Sequence, residues 1–261
     1  GLAVDVDGSG NVYVTGYFSG TATFGTTSLS SSGSQDIFIA KYNGAGNLQW
    51  VKKAGGSQAD KGNGISVDNS GNVIVAGEFK STAAFGSNSL SSQNNSIDVF
   101  ITKLTASGTF SWAQKGSASL TDRAVAVGTD NSGNIYAVGL FSDSITFDFT
   151  TNNTMLNVIF VTKFNSSGAQ QWLKIIGGGS FNNVTGCAVS GSGNVYVCGD
   201  WEGTNLTFFG ANQQVNNQYD NKIFLAKYNS SGGLSWAKSH GSGSLFNVRD
   251  IDIDNSGNAY Y

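Results

Sequence analysis

The chain has 261 residues, a formal charge of −3 and only 12% charged residues, which excludes the basic footprint of a nucleic-acid binder and an acidic tail for a basic partner. Its 36 glycines, absence of proline and 39% hydrophobic residues, spread evenly along the chain, exclude disorder and leave glycine and asparagine to set the turns. No apolar run reaches the roughly 18 residues of a membrane helix.

In chain order, residue 1 already stands in a strand-like pattern, Gly-Leu-Ala-Val-Asp, with no leader-like segment before it. A first strand is expected near 2–7 and a second near 11–17, both rich in β-branched and aromatic residues. Between them, Asp7-Gly8-Ser9-Gly10 has the aspartate and fourth-place glycine of a type I turn closed by a left-handed glycine bulge. That three-residue loop sets Val4 opposite Val14 and Val6 opposite Val12, which puts four valines on one face. A two-residue loop would set Val6 against Tyr13 and scatter that face. A smaller pattern, Thr-Ala-Thr-Phe-Gly around Phe24, follows and is matched at Phe85 and Phe147. Strands near 36–42 and 47–53 complete the unit. No stretch sustains a 3.6-residue apolar period, so helices should be few.

This unit repeats. A Gly-Asn phrase recurs with its asparagine at Asn11, Asn72, Asn134, Asn194 and Asn258, at spacings of 61, 62, 60 and 64. Nine residues separate Lys41, Lys103, Lys163 and Lys227 from Trp50, Trp112, Trp172 and Trp236, and 22 separate each tryptophan from the next asparagine. Only the stretch from asparagine to lysine varies, at 30, 31, 29 and 33 residues. A packed scaffold with one surface insertion per unit has that distribution. The units read as 1–61, 62–123, 124–183 and 184–247, with a partial one at 248–261. Even turn spacing without helices points to an all-β fold, a β-propeller of four-stranded antiparallel blades.

The phrases Leu-Ala-Val-Asp, Gly-Asn-Val-Tyr-Val-Thr-Gly, Asp-Ile-Phe-Ile-Ala-Lys-Tyr and Leu-Gln-Trp resemble the SBBP class of bacterial β-propeller repeats, and more distantly NHL propellers. The third unit departs most, with Val158 where Asp36 and Asp98 stand. The resemblance implies that the first strand of each unit lies innermost, that 248–261 is the inner hairpin of another blade, and that further blades lie outside this chain. It also implies a secreted or cell-surface protein of Bacteroidetes type, exported by type IX secretion machinery through a region outside the chain. Both ends, the last being Ala259-Tyr260-Tyr261, read as cut from a longer polypeptide.

Candidate chemistry is thin. Asp5 through Asn11 offers oxygens at alternate positions, as a calcium loop does, but lacks the bidentate glutamate. Asp5 also becomes Ser66, Gly128 and Ala188 in the next units, whereas Asp7 persists as Asp68, Asp130 and Asp254 and becomes Ser190 once. Turn formation is the better reading. Cys187 and Cys198 share a hairpin, but the register points them to opposite faces, so two free thiols are expected. His240, the single histidine, reads as a solvated turn residue, and no serine sits in a G-x-S-x-G elbow. Glu78 and Glu202 occupy unlike positions in two units and make no glycosidase pair. Trp201 aligns with Phe18, Phe79 and Phe141 as a core aromatic, and the repeated lysines read as snorkelling stems with their heads in water. The repeated tryptophans read as wedges between blades. Sequons occur at Asn94, Asn152, Asn165, Asn183, Asn205 and Asn229, and Asp143-Ser144-Ile145 resembles a Bacteroidetes O-glycan acceptor.

The expectation for function is a non-enzymatic extracellular module without catalytic, metal or cofactor residues. It would bind a protein or glycan ligand through the Ser-, Thr-, Asn- and Gln-rich insertions at 19–35, 80–97, 142–157 and 202–221, with no nucleic acid and no membrane insertion. A structural spacer in a larger surface protein or fibre is the second reading. An enzyme acting on polysaccharide, third, lacks the histidine or carboxylate clusters it would need.

Overall fold

A computed structural model describes residues 1–117, 120–142, 144–147, 150–152, 158–178, 181–211, 213–216, 221–242 and 247–261. The first unit comprises β1 (Ala3–Val6), β2 (Val12–Phe18), β3 (Thr21–Phe24), β4 (Thr27–Ser30), β5 (Asp36–Tyr42) and β6 (Leu48–Gly56). The second runs through β7 (Lys61–Val67), β8 (Val73–Lys80), β9 (Thr82–Phe85), β10 (Asn88–Ser91), β11 (Ile97–Leu104) and β12 (Phe110–Gly116). In the third are β13 (Arg123–Thr129), β14 (Ile135–Phe141), β15 (Ser144–Thr146), β16 (Thr150–Asn152), β17 (Val158–Phe164) and β18 (Gln170–Gly177). The fourth holds β19 (Phe181–Val189), β20 (Val195–Glu202), β21 (Asn205–Phe209), β22 (Gln213–Asn216), β23 (Asn221–Tyr228) and β24 (Leu234–Ser242), and β25 (Asp252–Ile253) and β26 (Ala259–Tyr260) form a final hairpin.

Each unit contributes a four-stranded antiparallel blade, ordered β1-β2-β5-β6 in the first and equivalently in the others. The expected register of the first hairpin holds, with Val4 opposite Val14 and Val6 opposite Val12. Its turn closes by the Gly10 amide donating to the Asp7 carbonyl at 2.9 Å, and Gly10 takes the left-handed φ of 76° that the bulge requires. The first strands β1, β7, β13, β19 and β25 all line one cavity, so the units wrap about a common axis. Where one blade meets the next, the facing side chains are buried. Ile65 of β7 packs with Ile37 and Ile39 of the preceding blade, as Val127 does with Ile74 and Ala76.

The insertions differ from expectation. Rather than free surface loops, they contain a hairpin (β3–β4, β9–β10, β15–β16, β21–β22), and the last three of these reach back to the preceding blade. Residues Gly55 and Gly56 of β6 pair with Ala84 and Ala83 of β9, and β18 pairs with β21. Ser117 and Thr146 exchange two backbone hydrogen bonds of 2.9 Å at the middle joint. The reason is the alternation of the small pattern. In β9, Ala83 and Phe85 are fully buried while Thr82 and Ala84 face outward, so the hairpin is a wedge with one apolar face.

The repeated tryptophans join the same blades. The indole N–H of Trp50 donates to the Ala106 carbonyl at 3.2 Å, Trp112 to Ser166 at 3.4 Å and Trp172 to Ser230 at 3.1 Å. Each carbonyl belongs to the turn between the third and fourth strands of the next unit. That turn needs a glycine, since a Cβ on Gly108, Gly168 or Gly232 would lie 2.9 Å from the ring of the facing tryptophan.

Candidate functional site

The inner cavity has a volume of about 980 Å³ and is walled by the five first strands. That is the size range of small-ligand sites, though on the large side. Its walls carry aliphatic residues such as Val67, Val125 and Val189 beside Asp5, Asn63, Thr129, Arg249 and Asp252. The polar groups are fixed by bonds that cross from blade to blade. Asp5 accepts the Val67 amide at 2.8 Å, Asn63 donates to the Ala124 carbonyl at 2.9 Å, and the Ser66 and Thr129 hydroxyls lie 3.4 Å apart. Burial pushes the Asp5 carboxyl above its ordinary range, against the pull of the Val67 and Val6 amides. The positions two before the turn aspartate, namely Asp5, Ser66, Gly128, Ala188 and Asp252, all face this cavity, and no two neighbouring units carry the same residue there.

At the cavity's end the inner hairpin turns are knitted by their first side chain, an aspartate in four units and Ser190 in the other. Asp7 accepts the Ser9 and Asn11 amides on Oδ1, and the Asn11 side-chain amide and Tyr13 hydroxyl on Oδ2. These bonds, led by that of the Asn11 side chain, hold its carboxyl down at about 2. The same net surrounds Asp130 with Asn134 and Tyr136, so the persistent aspartate and Gly-Asn phrase are turn formers, as read.

The lysines correct the sequence reading. Their heads do not simply enter water: Lys41 lies 5.0 Å over the Tyr13 ring, Lys163 5.2 Å over Tyr136 and Lys227 4.9 Å over Tyr196. Lys103 is buried and pairs with Asp68 at 3.2 Å. The partners come from the second strand or its turn, one strand away from the lysine, which spacing along one strand could not show.

Other candidates are dispersed. Cys187 lies opposite Val197 and Cys198 opposite Gly186, in consecutive pairs of the ladder, and both thiols are free. Burial pushes the Cys198 thiol up to about 11 and the Cys187 thiol higher still. His240 departs from the expected turn: it is an exposed residue of β24 opposite Ile223, stacked 6.3 Å from Tyr261. Trp201 is 1% exposed, its indole donates to the Ser239 hydroxyl, and Lys222 sits 4.6 Å over its ring, so it fills the core position assigned to it. Glu78 pairs with Lys61 at 3.0 Å across its own hairpin, while Glu202 ends β20 in another blade. Of the sequon asparagines, Asn165 and Asn229 accept the amides of their own turns. Asn94 sits in a 3-10 turn (Gln93–Asn95), Asn183 donates to Asp200, and Asn205 opens β21. Asn152 ends β16, and Asp143 lies outside the described residues.

Asp60 and Asp122 escaped notice in the sequence. Asp60 is fully buried at the first joint, where its Oδ2 accepts the Gly56 amide at 2.7 Å and its Oδ1 the Lys80 amide at 3.0 Å. It therefore ties the end of one blade to the second strand of the next. Burial, helped by Asp36, raises its carboxyl to about 6. The signal was available: Asp60, Asp122 and Asn182 each stand 12 residues before the turn asparagine.

Residues 49–78 match the SBBP family, described as a β-propeller repeat. That stretch runs from β6 to β8 and so spans a blade joint. An uncharacterized WD repeat-containing protein of Acanthamoeba polyphaga mimivirus is 23% identical over 230 residues, a match covering 72% of this chain and 16% of the relative's length. A crystal structure of a protein of unknown function from Bacteroides caccae aligns over 91% of this chain and 98% of its own, at 9% identity and a TM-score of 0.28. The blades, the shared axis and the repeat match together establish the chain as a β-propeller repeat protein.

Proposed function

We propose that the chain is a non-enzymatic binding module at the bacterial cell surface, and that its propeller takes a protein or glycan ligand in the inner cavity. The observation that carries this reading is the set Asp5, Ser66, Gly128, Ala188 and Asp252, which changes from unit to unit around one cavity while the adjoining turn barely changes. Such a wall offers an asymmetric pattern of carboxylate, hydroxyl and bare backbone to a ligand on the axis. The low charge and the hydroxyls of the outer hairpins favour an uncharged polar ligand. Thr21 meets Ser30 at 3.1 Å and Thr23 meets Ser28 at 3.0 Å on the exposed face of β3–β4. Support for the cell surface is the resemblance to secreted bacterial propellers, with type IX export a further part of that reading.

The test is a panel of glycans and surface extracts, read by surface plasmon resonance on the wild type and on Arg249→Ala/Asp252→Ala. Both residues are exposed at the cavity, so folding should be spared. A saturable ligand weakened about tenfold or more in the variant is expected, the loss of one or two charge-assisted contacts. Silence across the panel at high concentration overturns the proposal. The structural spacer is then the better reading, which the hairpins braced between blades favour.

A further inference from the structure

The hairpin of the fourth unit differs from the others at its tip, and a second cavity opens there. Phe208 pairs with Gln213, five positions on, where Phe24 pairs with Thr27 and Phe85 with Asn88, three positions on. In the first two units the residue after that phenylalanine is a glycine, set against the start of the fourth strand. A Cβ on Gly25 would lie 3.6 Å from Leu48, and one on Gly86 3.0 Å from Phe110. Phe110 in turn packs on Phe85, with ring centroids 6.3 Å apart, and fills the space. The fourth unit has Phe209 in place of the glycine and the smaller Leu234 in place of Phe110. Phe209 is 40% exposed, and a cavity of about 400 Å³ lies between the longer tip, Lys174 of β18 and the turn at 229–233. It sits on the joint of the third and fourth blades and shares no lining residue with the inner cavity.

Three polar groups meet at this cavity without a partner to occupy them. Tyr228 lines it and is 2% exposed, yet its hydroxyl has no hydrogen-bond partner among the described residues. A buried hydroxyl left in that state is costly, and the fold does not ask for one here. Leu104 and Phe164 hold the same position in the second and third units, both fully buried. Lys174 makes no ion pair or hydrogen bond among the described residues. Its stem is nevertheless held across the turn, since a Cβ on Gly232 would meet its Cε at 2.8 Å. The Asn229 Oδ1 accepts the Ser231 and Gly233 amides at 3.0 and 2.8 Å, which orients the side chain and leaves Nδ2 to donate. No carboxylate lines the cavity.

We propose that this rim cavity binds one acidic sugar unit, a uronate. A lysine with no acid beside it selects an anion, and a carboxylate is the anion that a sugar unit of this size carries. The Tyr228 hydroxyl can donate and accept, and Asn229 Nδ2 donates, which suits the ring hydroxyls beside that carboxylate. Tyr228, Phe209 and Leu234 supply the apolar wall against which the C–H face of a pyranose packs. About 400 Å³ is at the small end of the range for small-ligand sites and excludes a folded partner. Three changes from the second unit, Leu104 to Tyr228, Phe110 to Leu234 and Gly86 to Phe209 with its longer tip, act together: one supplies the hydroxyl and two make the room. The site is separate from the inner cavity and does not depend on what that cavity holds.

The test titrates the full chain with D-glucuronate, D-galacturonate, D-glucose, D-galactose and an Asp/Glu-rich peptide, followed by NMR. Saturable binding of at least one uronate is expected, about tenfold or more tighter than the neutral sugar of the same ring. Tyr228→Phe should weaken that binding about tenfold while leaving urea stability equal or higher, because the ring stays and only the unpaired hydroxyl goes. Lys174→Gln, which keeps the stem, should erase the preference for the uronate over its neutral counterpart. Arg249→Ala/Asp252→Ala should bind the uronate as the wild type does, which separates this site from the inner cavity. Absence of uronate binding overturns the proposal, as does binding that Tyr228→Phe and Lys174→Gln leave unchanged. So does a peptide that binds as tightly as the uronate, or a Tyr228→Phe protein of lower stability, since the hydroxyl would then serve the fold.

Discussion

Replacing Gly56 with alanine should unseat the β9–β10 hairpin from the first blade. A Cβ at this position would lie 1.9 Å from the Thr82 carbonyl oxygen, 3.0 Å from its carbon and 3.4 Å from the Ala83 Cα. All three are backbone atoms, so no rotamer change relieves the clash. Gly56 does not have a positive φ, and the effect is therefore steric rather than conformational. What is lost is the pairing of Gly55 and Gly56 with Ala84 and Ala83, and the full burial of Ala83. Hydrogen bonds at about 1 kcal/mol each and a re-exposed methyl give a loss of about 2–4 kcal/mol. The assay is urea unfolding paired with hydrogen exchange at Ala83 and Ala84, because repeat arrays can lose all-or-none cooperativity. Gly8→Ala is the control: nothing lies within 4 Å of its Cβ and its φ is ordinary, so a change within about 0.5 kcal/mol is expected. Equal stability and equal exchange in the two variants would refute the brace.

Asp60, with its folded carboxyl raised from 3.8 to about 6, contributes stability that is full below pH 3.8 and is lost as pH rises through about 6. Asp60→Asn should flatten that part of the stability–pH curve, worth up to about 3 kcal/mol, and parallel curves for the two proteins would disprove it. Trp172→Phe keeps a ring near Gly232 but removes the indole bond to Ser230, so thermal melts should show a loss of about 1–2 kcal/mol. Phe85→Ala should cost about 3–5 kcal/mol in urea unfolding, and Phe24→Ala clearly less, because Phe85 is fully buried and Phe24 only half so.

The within-unit architecture was legible because its signals are local. The turn Asp7-Gly8-Ser9-Gly10 fixes the register of β1 on β2, and the β5 span of 36–42 follows from the β-branched and aromatic residues around the Ile37–Ala40 apolar run. Trp201 was placed by alignment between units alone. The joints were not legible, since they pair residues about 30 apart whose local sequence is polar and variable in length. Thr-Ala-Ala-Phe at β9 looks like a loop until its alternate residues are matched to the end of β6. Asp60 was hidden differently: its single position between strands has no local pattern, and only its distance from Asn72 marks it.

The inner hairpin turns keep their chemistry by exchanging partners when a residue changes. In the first and third units the lysine packs on a tyrosine whose hydroxyl donates to the turn aspartate. The second unit has Ile74 in place of the tyrosine, and Lys103 goes to the Asp68 carboxylate itself. The fourth has Ser190 in place of the aspartate, and the Tyr196 hydroxyl donates instead to the Gly257 carbonyl of the next hairpin at 3.0 Å. A buried cation or hydroxyl left without a partner would cost more than the exchange, which explains why the substitutions come in compensated form. Restoring tyrosine at Ile74 should therefore be tolerated only if Asp68 accepts its hydroxyl and Lys103 moves over the ring. A loss above about 2 kcal/mol on Ile74→Tyr, read by urea unfolding, would show that the core around Ile74 has no room for the exchange. The compensation would then be a feature of each unit's packing rather than of the repeat.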